Sequence, residues 1–330
     1  MSALAHPRTV YTLQGAEAAE QAWLSATERG RLHHAWLLAG PEGVGKATFA
    51  YRAARRLLGA RPDLHEGLLG ASPEDPVSRL IESQSHPDLL VLEREGEGAK
   101  AKRGISVDDA RRLPEFFSKS PSIAAWRVAV IDAADDLNTN AANAVLKTLE
   151  EPPERGVVLM ISHAPGALLP TLRSRCRRLN FAPWRPERVA QFVQSASGAS
   201  AADAERLAAL AGGAPGRALR LEAEGALDLD RAAQALFEGG SGRQDAVVQG
   251  LADKLKGGEG SARFALLLEL LAEQARRLAV TRAGDAPPQA ERAAAAWARW
   301  RNLPLEVDGL NLDRAEALWG VAAEIRVLAA

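Results

Sequence analysis

The sequence predicts an α/β domain built on a parallel sheet, followed by two all-helical parts. Three observations carry this. A glycine-rich phosphate-binding loop stands between a short apolar run and a helical pattern. Further apolar runs alternate with helical patterns through the first half, as a sheet covered on both faces requires. Beyond residue 182 the strand-like runs stop and amphipathic helical periods take over. The expected divisions are an α/β domain over 1–182, a small helical domain over 183–240 and a helical bundle over 241–330.

In chain order, Ala35 to Ala39 (AWLLA) reads as a buried strand feeding the loop Gly40–Thr48, and Lys46 to Leu58 as a helix with Phe49, Ala50, Ala53, Ala54 and Leu57 on one face. Residues 59–86, rich in Pro, Gly, Ser and Asp, read as loop. Asp88–Leu92 reads as a strand and 93–104 as a charged connection. Val107–Ser118 is helical in pattern, Arg127–Asp132 (RVAVID) is a buried strand, and Asn138–Glu150 is a helix that Pro152 and Pro153 stop. Val157–Ile161 is another buried strand.

Phe181–Pro186 reads as a hinge. Helices are expected at Pro186–Ser195, Ala201–Ala211 and Pro215–Glu224. A break at Gly239–Gly242 then precedes longer ones at Ser261–Val280, Pro288–Arg301 and Leu312–Leu328. The alanine run 293–296 follows from helix propensity alone. Trp297 and Trp300, at i and i+3, and Trp319 read as bundle core or oligomer contacts.

The composition is that of a globular protein. Its 330 residues are 47% hydrophobic, and 41 basic side chains stand against 42 acidic ones, so no overall field calls for nucleic acid as a direct partner. A single cysteine, Cys176, leaves no disulfide framework and no multi-thiolate zinc site, which points to a reducing compartment. No apolar run reaches the roughly 20 residues of a membrane span, and the N-terminus has no signal-peptide core. A cytoplasmic location is expected.

The loop has the form G-x-x-x-x-G-K, with Gly40, Gly45 and Lys46 in place and Gly43 as an added hinge. Glycines let backbone N–H groups face phosphate oxygens, the following helix offers its positive end, and Lys46 supplies a charge for the outer phosphates. The hydroxyl that would ligate Mg²⁺ is missing, because Ala47 takes its place and Thr48 is displaced by one residue, about 100° around a helix. Asp132 ends its strand as a metal-holding carboxylate would, but Ala133 stands where a general base is needed. Loss of such a base costs about 10² to 10⁴ in rate. Asp135 and Asp136 lie beyond the strand end, so negligible hydrolysis is expected. A nucleotide site of Gly40, Gly43, Gly45, Lys46, Thr48 and Asp132 is left, degenerate in catalysis. ATP or ADP binding without turnover stays open, and no metal site is expected.

Taken from spacing alone, T-L-R-S-R-C (Thr171–Cys176) is a solvated basic turn. Its meaning changes with H-H-A-W-L-L-A-G-P-E-G-V-G-K-A-T (His33–Thr48), S-H-P-D-L (Ser85–Leu89), I-S-V-D-D-A-R (Ile105–Arg111), A-A-N-A-V-L-K-T-L-E-E-P-P (Ala141–Pro153) and L-R-S-R-C (Leu172–Cys176). Together and in this order these segments resemble the AAA+ clamp-loader family of bacterial DNA polymerase III. The resemblance covers most of the α/β half, and its last two blocks are far more specific than a phosphate-binding loop.

The resemblance implies a RecA-like AAA+ domain, a helical lid and a helical collar. It further implies assembly with gamma or tau and delta subunits, which together open a sliding clamp and load it on primed DNA. Arg175 would be an arginine finger acting in trans on a neighbour's ATP, with Ser174 and Cys176 packing its turn. Arg217, in G-G-A-P-G-R-A-L, falls at the lid's second sensor position, where a plain surface arginine is an equal reading. Related subunits often carry a four-cysteine zinc module between the loop helix and H-P-D-L. Here residues 59–85 hold no cysteine and His65 and His86 are too few ligands, so no zinc is expected.

The basic group Arg173, Arg175, Arg177 and Arg178 reads first as a solvated strand edge and second as a DNA-phosphate contact. Two rival functions remain: an active P-loop ATPase of the gamma/tau motor type, and a nucleotide-binding regulatory module without turnover. Ala47 and Ala133 argue against the first, as does the absence of the long extensions that tau carries.

Overall fold

A computed structural model describes residues 5–94 and 104–329. The first unit runs through Arg220 and the second begins at Leu221. The chain order is α1 (Glu17–Glu28), β1 (Ala35–Ala39), α2 (Lys46–Leu57), α3 (Pro76–Glu82), β2 (Leu89–Glu93), α4 (Val107–Phe117), β3 (Arg127–Asp132), α5 (Thr139–Glu150), β4 (Gly156–Ser162), α6 (Pro170–Ser174), β5 (Arg177–Asn180), α7 (Pro186–Ser197), α8 (Ala201–Ala211) and α9 (Pro215–Ala223). The remainder is helical: α10 (Ala226–Glu238), α11 (Ser241–Ala252), α12 (Gly257–Arg282), α13 (Pro287–Gly309) and α14 (Arg314–Ala329).

All strand pairs are parallel, in the order β2-β3-β4-β1-β5. Successive side chains of a strand face opposite ways. In β1, Trp36 and Leu38 therefore join Trp23, Phe49, Val128, Val130, Leu159 and Phe181 on one side of the sheet. Ala35, Leu37 and Ala39 join Ile131, Met160, Val145 and Leu113 on the other. Both faces are dry, which is why these strands read as unbroken apolar runs. The first face is largely aromatic: Trp23 lies 4.9 Å from Trp36 and Phe49 lies 5.3 Å from Phe181 between ring centroids.

The helices start where their caps say. Ser106 and Asp109 form a reciprocal capping box on α4, and Asn138 caps α5 through the Ala141 amide. Residues 59–85, expected as loop, contain α3, capped by Asp75, and are tied down by other contacts. Asp63 N–H donates to Gly70 O at 3.0 Å, Arg52 Nη2 to Glu66 O at 2.7 Å, and Leu69 and Ile81 are fully buried. Among the described residues no three His, Cys, Asp or Glu side chains group as a metal would need. His86 instead accepts the Asp88 amide on Nδ1.

The sequence-based expectation gave no element to 17–28, 76–82, 226–238 or 241–252, all of which are helical. Part of 93–104 lies outside the described residues. The segment 177–180, expected as a solvated strand edge, is an exposed edge strand paired with β1, with only Leu179 buried. The expected hinge is held at two points, by Phe181 N–H to Ala39 O at 2.8 Å and Trp184 N–H to Gly213 O at 2.7 Å. Helix α13 runs on past Arg301 through Pro304, eight residues beyond the expected stop. A proline forfeits one hydrogen bond, and Val307, buried on the continuing turn, holds the helix together beyond it.

In the second unit Trp300 is fully buried and its indole N–H donates to Glu324 at 2.6 Å, while Trp297 is half-buried beneath Arg301. No described helix is long and apolar enough to cross a membrane.

Candidate nucleotide site and interface arginine

The carboxyl ends of β1, β3 and β4 converge on the glycine-rich loop that opens α2. Gly40, Gly43 and Gly45 all have positive φ, at 158°, 82° and 96°. Two of them are also required by close approach: a Cβ on Gly40 would lie 2.3 Å from Phe181 O, and one on Gly43 would lie 2.4 Å from the Arg217 amide nitrogen. The loop is tied to the first turn of α9, where the Gly216 N–H donates to Gly43 O at 2.8 Å. Arg217 thus comes to the loop through its backbone. Its neighbour one turn on, Arg220, pairs with Glu42 at 2.5 Å. Although burial acts the other way, Arg220, with His163 and Arg217, holds the Glu42 carboxyl below its usual range.

Lys46 is buried, and its ammonium turns back on the loop to donate to Gly40 O at 2.7 Å and Pro41 O at 2.5 Å. Burial pulls its pKa down to about 8 against the attraction of Asp132, Glu42 and Asp135. Asp132 moves the opposite way. Burial first, then the repulsion of Glu93, its register partner on β2, pushes it up to about 6, with Lys46 opposing.

Ala47 packs against the apolar face where a metal-ligating hydroxyl would stand, and Thr48 is buried one residue further on. Ala133 is buried as well. Asp135 is committed elsewhere, accepting from Ser162 Oγ at 2.9 Å, His163 N–H at 2.6 Å and Ala164 N–H at 3.1 Å. Asp136 pairs with Arg94 at 2.9 Å. Glu42, Ser162, His163 and Arg220 escaped the sequence reading, because their roles depend on partners from separate elements and on no local motif.

The Asp132 shift has a sign that can be checked. A carboxyl whose folded pKa lies above its unfolded value keeps its proton longer when folded, so stability falls as pH climbs from about 4 to 6. Asp132→Asn removes that penalty and should stabilise the protein above pH 6 by up to about 3 kcal/mol, a figure in which the attraction to Lys46 is already included. Urea melts of both forms at pH 5 and pH 8 test this; equal stability differences at the two pH values would contradict it.

Arg175 lies elsewhere. It is the C-cap of α6, partly exposed, with Nη2 2.8 Å from Glu150 Oε1 and Nη1 donating to Thr171 O at 3.1 Å. Cys176 donates its thiol to Leu172 O, and burial raises that thiol to about 12, so it packs the turn as an inert group. Arg177 stacks over the Trp36 ring at 4.8 Å. In the register of β5 on β1, Arg177 pairs with Trp36 and Asn180 with Ala39. Arg175 therefore precedes the amino edge of the sheet while the loop leaves its carboxyl edge, about 13 Å or more away along the strands. Of the residues singled out from sequence, the loop glycines, Lys46, Thr48, Asp132 and the Arg217 backbone come together, and Arg175 stands apart.

A family model described as DNA polymerase III, delta subunit, matches residues 15–185. A DNA polymerase III subunit delta' of Pseudomonas aeruginosa is 37% identical over 204 residues, covering 62% of this chain and 60% of the relative. A DNA polymerase III subunit tau of Escherichia coli is 32% identical over 177 residues, covering 53% of this chain and 26% of the relative. The chain thus spans less than two thirds of either relative. Among solved structures, a DNA polymerase III gamma subunit-related protein of Thermotoga maritima superposes with a TM-score of 0.50 at 17% identity, over 93% of this chain and 100% of the other. That likeness concerns the fold.

Proposed function

The chain belongs to the DNA polymerase III delta-subunit family of clamp-loader proteins, and from that premise we propose that it is a hydrolysis-inert, delta-prime-type loader subunit that completes a neighbour's ATP site. The observation that carries this is the division of labour between the two edges of the sheet. At the carboxyl edge the phosphate-binding loop has Ala47 and Ala133 where a metal ligand and a base would be, and Asp135 is already engaged. At the amino edge a partly exposed arginine is held where it cannot reach its own chain's loop. A guanidinium there stabilises charge on a transferring phosphoryl group held by another subunit.

In this reading residues 1–182 form the AAA+ domain, 183–240 a lid and 241–330 a collar that packs in the ring. The partners are gamma or tau and delta subunits, and through the complex the sliding clamp and primed DNA. No zinc and no nucleotide turnover of its own are needed.

A second reading is supported by Lys46, which keeps its place at the start of α2 behind three positive-φ glycines. A nucleotide could take the ammonium from the loop carbonyls and stabilise the fold without turnover. One pair of measurements on the purified chain separates the readings. We expect no magnesium-dependent ATP hydrolysis above background; turnover at about 1 s⁻¹, within the ordinary enzyme range, would identify an active motor. A thermal shift or calorimetric signal with millimolar ATP supports the nucleotide-holding reading, and none removes it.

A further inference from the structure

We infer that Glu150 is a positioning residue for Arg175, a role that rests on the trans-finger reading above. An arginine finger is useful only if its planar fork is already aimed when the neighbour arrives, since a long side chain rich in rotamers otherwise loses part of its gain to ordering. Two anchors on two different nitrogens fix the plane here: Thr171 O on Nη1 at 3.1 Å and Glu150 Oε1 on Nη2 at 2.8 Å. The first comes from the helix that Arg175 itself caps. The second crosses to α5, so it ties the arginine to the body of the domain.

These contacts occupy two of the five N–H donors of a guanidinium, so the others can meet a phosphate without the anchors letting go. The chemistry also runs in the other direction. Glu150 is the last residue of α5, where the helix carbonyls carry partial negative charge and a carboxylate is disfavoured unless a cation sits beside it. Arg175 is that cation. Both groups are partly exposed, at 37% and 52%, so the pair contributes little to folding and its value lies in aim.

The test is ATP hydrolysis by the loader reconstituted with gamma or tau and delta subunits, clamp and primed DNA, with every hydrolysing site but the one beside this chain disabled, using Glu150→Gln, Glu150→Asp and Arg175→Ala singly and Glu150→Gln combined with Arg175→Ala. Glu150→Gln should lower kcat by about tenfold with KM for ATP unchanged, as loss of an orienting partner does. Glu150→Asp should recover part of the rate, and Glu150→Gln should change nothing further once Arg175 is alanine. Each variant should assemble and melt as the wild type does. If Arg175→Ala is slow while Glu150→Gln turns over at the wild-type rate, the role of Glu150 is overturned and the finger stands. An equal loss from Glu150→Gln in both backgrounds also overturns it, because the effect then bypasses Arg175. If Arg175→Ala itself is at the wild-type rate, the finger reading falls, and the role of Glu150 with it.

Discussion

Arg175→Ala should abolish most ATP turnover at the neighbouring subunit's site, by about 10³-fold or more, when the other hydrolysing sites of the reconstituted loader are disabled. In a largely dissociative phosphoryl transfer the negative charge spreads over the equatorial oxygens, and a guanidinium delivered from outside meets it without competing water. Arg175 has the partial exposure, the two anchors and the position at the amino edge of the sheet that such delivery needs. Arg175→Lys should not restore the rate, because an ammonium puts its donors on one nitrogen and lacks the planar fork that reaches Glu150, Thr171 O and a phosphate from separate nitrogens. The free subunit should melt almost unchanged, since a half-exposed ion pair contributes at most about 1 kcal/mol. Clamp- and DNA-stimulated phosphate release is the measurement. Wild-type turnover by Arg175→Ala would leave this chain a scaffold only.

The sheet was legible because its strands are buried on both faces. AWLLA, RVAVI and VVLMI need no partner to declare themselves, and the glycines at 40, 43 and 45 mark where the backbone must turn left-handed. Helix α11 was hard to read because its apolar residues form almost no one-sided face in sequence, whereas α10 buries Ala226, Leu229, Ala233 and Leu236 at helical spacing, a legible pattern that the reading passed over. Strand β5 was legible only as a solvated strand edge, because RRLN has one buried residue in four and owes its conformation to pairing with β1. Of the candidate site, the residues in a local motif were found. The bridge from Glu42 to Arg220 joins residues 178 apart in sequence, and Asp135 meets Ser162 and His163 across 27 and 28 residues. No short pattern encodes such pairs.

The resemblance to clamp loaders also drew attention to S-H-P-D-L, and there the structure supplies a reason of folding. Asp88 is completely buried at the start of β2, and its carboxylate accepts from the amides of Ser122 at 2.7 Å, Ile123 at 2.8 Å and Ala124 at 3.0 Å, with Arg127 Nε 3.5 Å away. One side chain thereby closes the turn that brings α4 back to β3. Burial pushes its pKa up, but the three amides and Arg127 outweigh that and hold it below the usual carboxylate range.

Asp88→Ala removes the acceptor for three backbone amides and takes the carboxylate partner from the buried Arg127 guanidinium, which keeps only the carbonyls of Ser120 and Phe116 and the Ser122 hydroxyl. Breaking a buried pair from one side costs about 3–5 kcal/mol, a large share of the stability of any domain. Asp88→Asn should lose less, about 1.5–3 kcal/mol, since its amide oxygen can still accept while its NH₂ faces a donor. The pH dependence follows from the direction of the shift. A carboxyl with a folded pKa below its unfolded value stabilises the protein fully above the unfolded pKa of about 3.9, and that stabilisation is lost as pH falls through the folded pKa. Wild type and Asp88→Asn should therefore draw together in urea midpoint below pH 4 and stay apart at pH 7. A gap of the same width at both pH values would mean that the Asp88 charge does not hold this turn.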